Sequence, residues 1–156
     1  MKECVECKGK KFAETTESDT VTVAGQAFSA DVPAVRCTKC GAVYVDGPSL
    51  GAFELEVART LADAGVATGE TFRYMRRVLG YTAAALGEAI GVAPETISRW
   101  ERGDRPVDRM AWVGLASMVA DRIEGRTVTL DRLRALREPP KLAKTMRLSL
   151  PRSAAR

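Results

Sequence analysis

Residues 79–103 read LGYTAAALGEAIGVAPETISRWERG, and the glycines, the threonine and the proline in that stretch dictate its local structure. Gly80 suits the left-handed residue that ends a helix. Thr82 offers its hydroxyl to the free amides of Ala83–Ile90, a cap worth about 1 kcal/mol. Gly91 closes that run, and Pro94 suits the first position of a new helix, where its missing N–H is no loss. Only Gly91 and Val92 stand between Ile90 and Ala93. Two short helices joined so tightly read as a helix-turn-helix, with Gly87 at their close approach and Val92 and Ile97 as buried pegs. In the second helix Ile97 and Trp100 face inward, which leaves Glu95, Thr96, Ser98 and Arg99 outward. Those side chains are small or hydrogen-bonding, as suits a DNA major groove that admits a single helix. Periodicity alone also allows a plain helical bundle with a solvated outer helix.

The helical pattern continues on both sides. TFRYMRRVLG, from Thr71, places Phe72, Met75 and Leu79 on one face before Gly80. VDRMAWVGLASMVADRIEG, from Val107, predicts a fourth helix, and LDRLRALREPP a short fifth that Pro139 and Pro140 stop. Met110, Val113, Met118 and Ile123 are expected to fill the core. Trp112 lies off that stripe, as a dimer anchor or a half-exposed packing residue. The end of the chain, KLAKTMRLSLPRSAAR, has five basic residues and no acidic one. It reads as a disordered tail that adds non-specific DNA affinity, or as a solvated end.

All four cysteines fall in the first 40 residues, as two C-x-x-C pairs: Cys4 with Cys7 and Cys37 with Cys40. A tetrahedral zinc site needs four soft ligands, and each C-x-x-C turn presents two sulfurs on one side. Gly41 follows the second pair, where a tight turn favours positive φ; Lys8 holds the matching place in the first, with Gly9 next. One structural zinc ion is the expected occupant, with rubredoxin-like iron, disulfides or a redox pair as alternatives. A shell of four thiolates is closed, so the metal is expected to hold the fold and not to catalyse. Between the pairs, alternation at Thr20–Val23, a turn at Gly25-Gln26 and a third extended piece at VPAVRC predict short antiparallel strands. So small a sheet depends on its metal, whose binding is worth about 10–16 kcal/mol. Gly47-Pro48-Ser49 then marks a helix start. Leu50, Phe53, Val57, Leu61 and Ala64 form an apolar stripe expected to pack under the sheet, or to meet a partner. GVATGE, residues 65–70, reads as a hinge.

The expected architecture is therefore α+β. Residues 1–64 form a small zinc-bound β domain with one amphipathic helix, residues 65–70 a hinge, residues 71–138 an all-α helix-turn-helix domain of about five helices, and residues 139–156 the basic tail. The charge is polarised. Residues 1–70 carry 7 Lys and Arg against 11 Asp and Glu, residues 71–137 carry 12 against 8, and residues 138–156 carry 5 against 1. The basic part suits phosphates and the acidic part another partner, although a mixed solvated surface gives similar sums. Histidine is absent, which removes Ser-His and Cys-His catalysis. With no phosphate-binding glycine loop and no spare cysteine, no enzymatic activity is expected. No apolar run approaches the roughly 18 residues of a membrane helix, and MKECVECKGK has no signal-peptide core, so a cytoplasmic protein is expected.

LGYTAAALGEAIGVAPETISRWERG resembles the helix-turn-helix of the Cro and phage-repressor type over about residues 70–105. The threonine cap, the Gly-Val turn and the closing W-E-x-G carry the likeness. The resemblance implies a structural ion pair between Arg76 and Glu101. It also implies DNA contacts from Thr82, Pro94, Glu95, Thr96, Ser98 and Arg99, with Glu95 and Arg99 facing bases. The family commonly has a glutamine after the threonine, gripping phosphate, where this chain has Ala83. A glutamate at position 95 would accept from cytosine, where the amide common in the family reads adenine. Two C-x-x-C pairs, one helix and then this domain resemble the MqsA (YgiT-type zinc finger) antitoxin family over roughly residues 1–120. That likeness implies a zinc domain that neutralises a small basic ribonuclease-like toxin. It further implies a C-terminal domain that forms a homodimer and represses its own operon on double-stranded DNA. A zinc-containing helix-turn-helix regulator with no toxin partner is the alternative.

Overall fold

The structure, a computed structural model, describes residues 2–149. Three strands come first, β1 (Phe12–Val23), β2 (Gln26–Cys37) and β3 (Val43–Val45), in an antiparallel sheet of order β1-β2-β3. Six helices follow: α1 (Gly47–Asp63), α2 (Gly69–Val78), α3 (Ala83–Ile90), α4 (Pro94–Arg102), α5 (Arg109–Ile123) and α6 (Val128–Arg137). The α+β architecture is as expected.

The sheet is one long hairpin rather than several short pieces. β1 and β2 pair without interruption from Phe12↔Cys37 to Val23↔Gln26, so VPAVRC is the end of β2. The turn is Ala24-Gly25 rather than Gly25-Gln26. Both turn residues have positive φ, 50° and 76°, the geometry whose twist matches that of the flanking strands. Gln26 is thereby released to pair with Val23. Along β2 the side chains of Val32 and Ala34 are buried while Asp31 and Pro33 are exposed, so only one face is covered. The other face, with Glu14 and Thr16 across from Val35 and Pro33, stays open.

α1 has two apolar sides where one stripe was expected. Phe53, Val57 and Leu61 pack with Val21, Val23 and Phe28 of the hairpin. Leu55, Ala58 and Ala62 join the core of the helices that follow. Ala64 is an exposed C-cap rather than part of the stripe. Asp46 caps the helix by accepting from the Ser49 amide. α1 therefore carries the chain from the metal end of the sheet back to the hairpin tip. Residues 65–70, expected as a hinge, form a bonded turn and the start of α2. The Val66 amide donates to Leu61 O at 3.2 Å, Thr71 Oγ1 donates to Val66 O, and Thr68 closes a capping box with Thr71. Gly69 is there for closeness, since a Cβ on it would lie 2.0 Å from Trp100 O.

The main core gathers Phe72 and Met75 of α2, Leu86 of α3, Ile97 and Trp100 of α4, and Leu115 and Val119 of α5. Phe72 and Trp100 meet edge to face with centroids 5.7 Å apart. The phase of α5 differs from the expected one. Ala111, Trp112, Leu115, Met118 and Val119 are buried, whereas Met110, Val113 and Ile123 are exposed, Met110 by 75%. Trp112, 7% exposed, is a core residue of the chain. The run Ala111–Ala116 is apolar on every side, so no polar residue marks the face that turns outward. Asp108 caps the start of the helix, accepting from the Met110 and Ala111 amides at 2.9 Å, while its buried face is chosen by the core it packs against. α6 is held on by Leu130 and Leu133, and by Arg137 Nη1, which donates to Glu88 Oε1 of α3 at 3.0 Å. Beyond α6 the tail forms no helix or strand as far as residue 149; residues 150–156 of the expected basic tail lie outside the described part.

Candidate metal centre and nucleic-acid interface

The two C-x-x-C segments fold into matching knuckles. In the first, the Lys8 amide donates to Cys4 O at 2.9 Å and the Cys4 amide to Gly9 O at 2.8 Å. In the second, the Gly41 amide donates to Cys37 O at 2.9 Å and the Cys37 amide to Ala42 O at 2.8 Å. Lys8 takes the positive φ of its knuckle, 57°, where Gly41 takes 79° in the other. The Thr38 amide donates to Lys11 O at 3.1 Å and ties the knuckles together. Gly9 lies against the sulfurs, since a Cβ there would come within 3.2 Å of both Cys7 and Cys37 Sγ.

All four sulfurs lie within 4.8 Å of one another. Cys4 and Cys40 are 3.5 Å apart and Cys7 and Cys37 3.6 Å, and no disulfide joins any of them. Four sulfurs each 2.3 Å from one ion would sit about 3.8 Å apart, so the cluster fits a tetrahedral metal ion. Cys4 and Cys37 are buried and Cys40 is exposed. Tyr44 Oη stands 3.1 Å from Cys4 Sγ. That hydrogen bond, reinforced by the Cys7 amide and opposed by burial, holds the Cys4 thiol down at about 6. The Cys40 and Lys39 amides likewise lower Cys37. The Ala42 amide favours the Cys40 thiolate too, but the neighbouring sulfurs and burial outweigh it and push that thiol up to about 12. A cation among the four would favour the Cys40 thiolate, so metal uptake there would displace its proton.

The second site is the outer face of α4. Pro94, Glu95, Ser98 and Arg99 line one shallow groove together with Arg102. Ile97 and Trp100 on the opposite side are buried. Thr96 is half-buried on the flank and does not line the groove. Thr82 stands outside the groove as the cap of α3, accepting from the Ala85 amide at 3.0 Å. Sequence reasoning passed over Arg102, although its position one turn after Ser98 and Arg99 places it on the same stripe. Its guanidinium pairs with Asp104 at 2.7 Å, both partners half-exposed.

The two helices of the motif are held in their relation from beneath. A Cβ on Gly87 would lie 2.4 Å from Val92 O, so the turn can close only over a glycine. Arg76 donates through Nε and Nη2 to both carboxylate oxygens of Glu101, at 2.6 and 2.9 Å, and through Nη1 to Tyr81 O at 2.6 Å. Both side chains are about nine-tenths buried. The pair locks α2, the loop before α3 and the end of α4 together, and charge-assisted bidentate geometry of this kind fixes orientation. The outward side chains of α4 are therefore presented on a rigid mount, as groove reading requires.

A family model described as a helix-turn-helix domain matches residues 67–120, a span that includes both helices of the motif. A comparison with curated proteins finds no significant match. The chain thus carries a helix-turn-helix domain of DNA-binding type beside a four-cysteine cluster able to hold a metal ion. Among the described residues, no helix is long and apolar enough to cross a membrane.

Proposed function

We propose that this chain is the antitoxin of a toxin–antitoxin pair and the sequence-specific repressor of its own operon. The carrying observation is the exposed groove of Glu95, Ser98, Arg99 and Arg102 on a helix whose other face is fully packed. Arg99 is assigned to guanine edges and Glu95 to cytosine amino groups. Repression calls for two such helices about 34 Å apart, hence a homodimer through the C-terminal domain. The exposed Met110 and Val113 of α5 support that assembly, because apolar side chains so open to water favour a partner. One zinc ion is assigned to Cys4, Cys7, Cys37 and Cys40: four thiolates suit it, and the closed shell gives it a structural task without catalysis.

The sheet is assigned to the toxin. Between Lys11 and Arg36 the chain has no basic residue, while Glu14, Glu17, Asp19 and Asp31 are acidic. An open recess lies beside β3, with Glu14 and Asp46 at its rim and Pro33, Val35 and Tyr44 in its wall. Such a surface suits a small basic ribonuclease-like protein in the cytoplasm. The test is recovery of the tagged chain from its own cells in high salt with nuclease, so that DNA cannot bridge, followed by mass spectrometry. A stoichiometric small basic protein encoded next door is the expected result. Recovery of the chain alone would instead favour a metal-containing DNA-binding regulator with no toxin.

A further inference from the structure

We propose that Tyr44 is a positioning residue of the metal centre, donating its hydroxyl hydrogen to the metal-bound sulfur of Cys4. The inference rests on the metal reading of the four cysteines. Tyr44 lies outside both knuckles, on β3, and its Oη reaches Cys4 Sγ at 3.1 Å. Its direction is fixed from two sides. The backbone of β3 is paired to β2 through Val43↔Arg36, Tyr44↔Val35 and Val45↔Ala34. The ring meets Phe12 edge to face, centroids 6.2 Å apart at 75°, and Phe12 is itself the register partner of Cys37.

Chemistry sets which atom donates. A metal-bound thiolate has no proton and keeps lone pairs free, whereas a phenol retains its proton well above neutral pH. Cys4 is wholly buried, so no water takes that role in place of Tyr44. Four thiolates around a divalent ion leave a net charge of −2, and a donor aimed at one sulfur draws off part of it. Groups of this kind, one shell beyond the ligands, alter metal affinity by about 10–100-fold when removed. Tyr44 also ties the first knuckle, which leads into β1, directly to β3 on the far side of β2.

The test is Tyr44→Phe in the full chain, which keeps the ring on Phe12 and removes only the donor. Each protein is loaded with cobalt(II), and the sulfur-to-cobalt charge-transfer bands are recorded. The zinc forms are then challenged with excess chelator and the loss of metal is timed. The expected result is a displaced charge-transfer band together with zinc loss about 10–100-fold faster. If Tyr44 only packs against Phe12, the bands of Tyr44→Phe stay at the wild-type energy. Wild-type values for either the bands or the loss rate would overturn the proposal. A wild-type chain showing no sulfur-to-cobalt bands would overturn the metal reading itself, and this inference with it.

Discussion

Gly69 and Lys8 show how much single backbone positions decide in this fold, and how differently they appear in the sequence. Gly69 stands in GVATGE, where local reading makes it a source of flexibility. Its real constraint is Trp100 O, far along the chain, and nothing near Gly69 announces it. Gly69→Ala is expected to cost about 1–3 kcal/mol, because the new Cβ must push α2 and α4 apart. Urea unfolding followed by tryptophan fluorescence measures it, and an unchanged midpoint would contradict the close approach. Lys8 is the converse case, since its likeness to Gly41 is legible from the C-x-x-C spacing alone. A non-glycine residue at positive φ is strained, so Lys8→Gly is expected to gain about 0.5–1 kcal/mol after the glycine's extra chain entropy is counted. Thermal melting of the metal-loaded chain should show the rise.

At the scale of elements, α3 and α4 could be read from sequence because their signals are local. Thr82, Gly91 and Pro94 each act within one turn of where they stand, and Gly87 needs only the neighbouring turn at Val92. α5 could not be phased in that way. Its middle is apolar all round, so the burial of Trp112 and the exposure of Met110 and Val113 are decided by which neighbours are present, not by pattern. The hairpin turn was displaced by one residue because Ala24, with an ordinary side chain, carries positive φ. Asp121 is a further long-range device: from the end of α5 it accepts from the Thr129 amide at 2.6 Å in the first turn of α6. That bond holds its carboxyl below the usual aspartate range. The folded form thus favours the charged state, and the contribution is present above about pH 4 and lost as pH falls through the folded value. Hydrogen exchange is expected to show α6 loosening in acid before α2–α5, and Asp121→Asn should show that looseness already at neutral pH.

Across the whole molecule, the sheet spans roughly 40 Å between two anchors, a length set by its strand rise. At one end stand the four sulfurs and at the other the hairpin tip, packed by Val57 and Leu61 against α1. The helical core around Phe72, Ile97 and Leu115 is separate from the knuckles. Chelation is therefore expected to strip exchange protection from the knuckles and the strand residues next to them while α2–α5 keep theirs. Because metal uptake displaces a proton from Cys40, whose thiol lies at about 12, retention against a chelator should weaken steadily as pH is lowered from 8 to 6. Equal loss of protection throughout the chain would mean that the two halves fold as one unit.

The face of α4 is the part of the molecule on which its role turns, and it is tested most directly by DNA selection. Sequences enriched by the wild-type chain from a random pool would be titrated against wild type and Arg99→Ala at fixed salt, alongside an unrelated duplex. Loss of about 1–3 kcal/mol on the selected site, with little change on the unrelated duplex, is the expected result for a base-reading arginine. Equal affinity of both proteins for the selected site, or no enrichment by the wild type, would contradict a groove-reading α4.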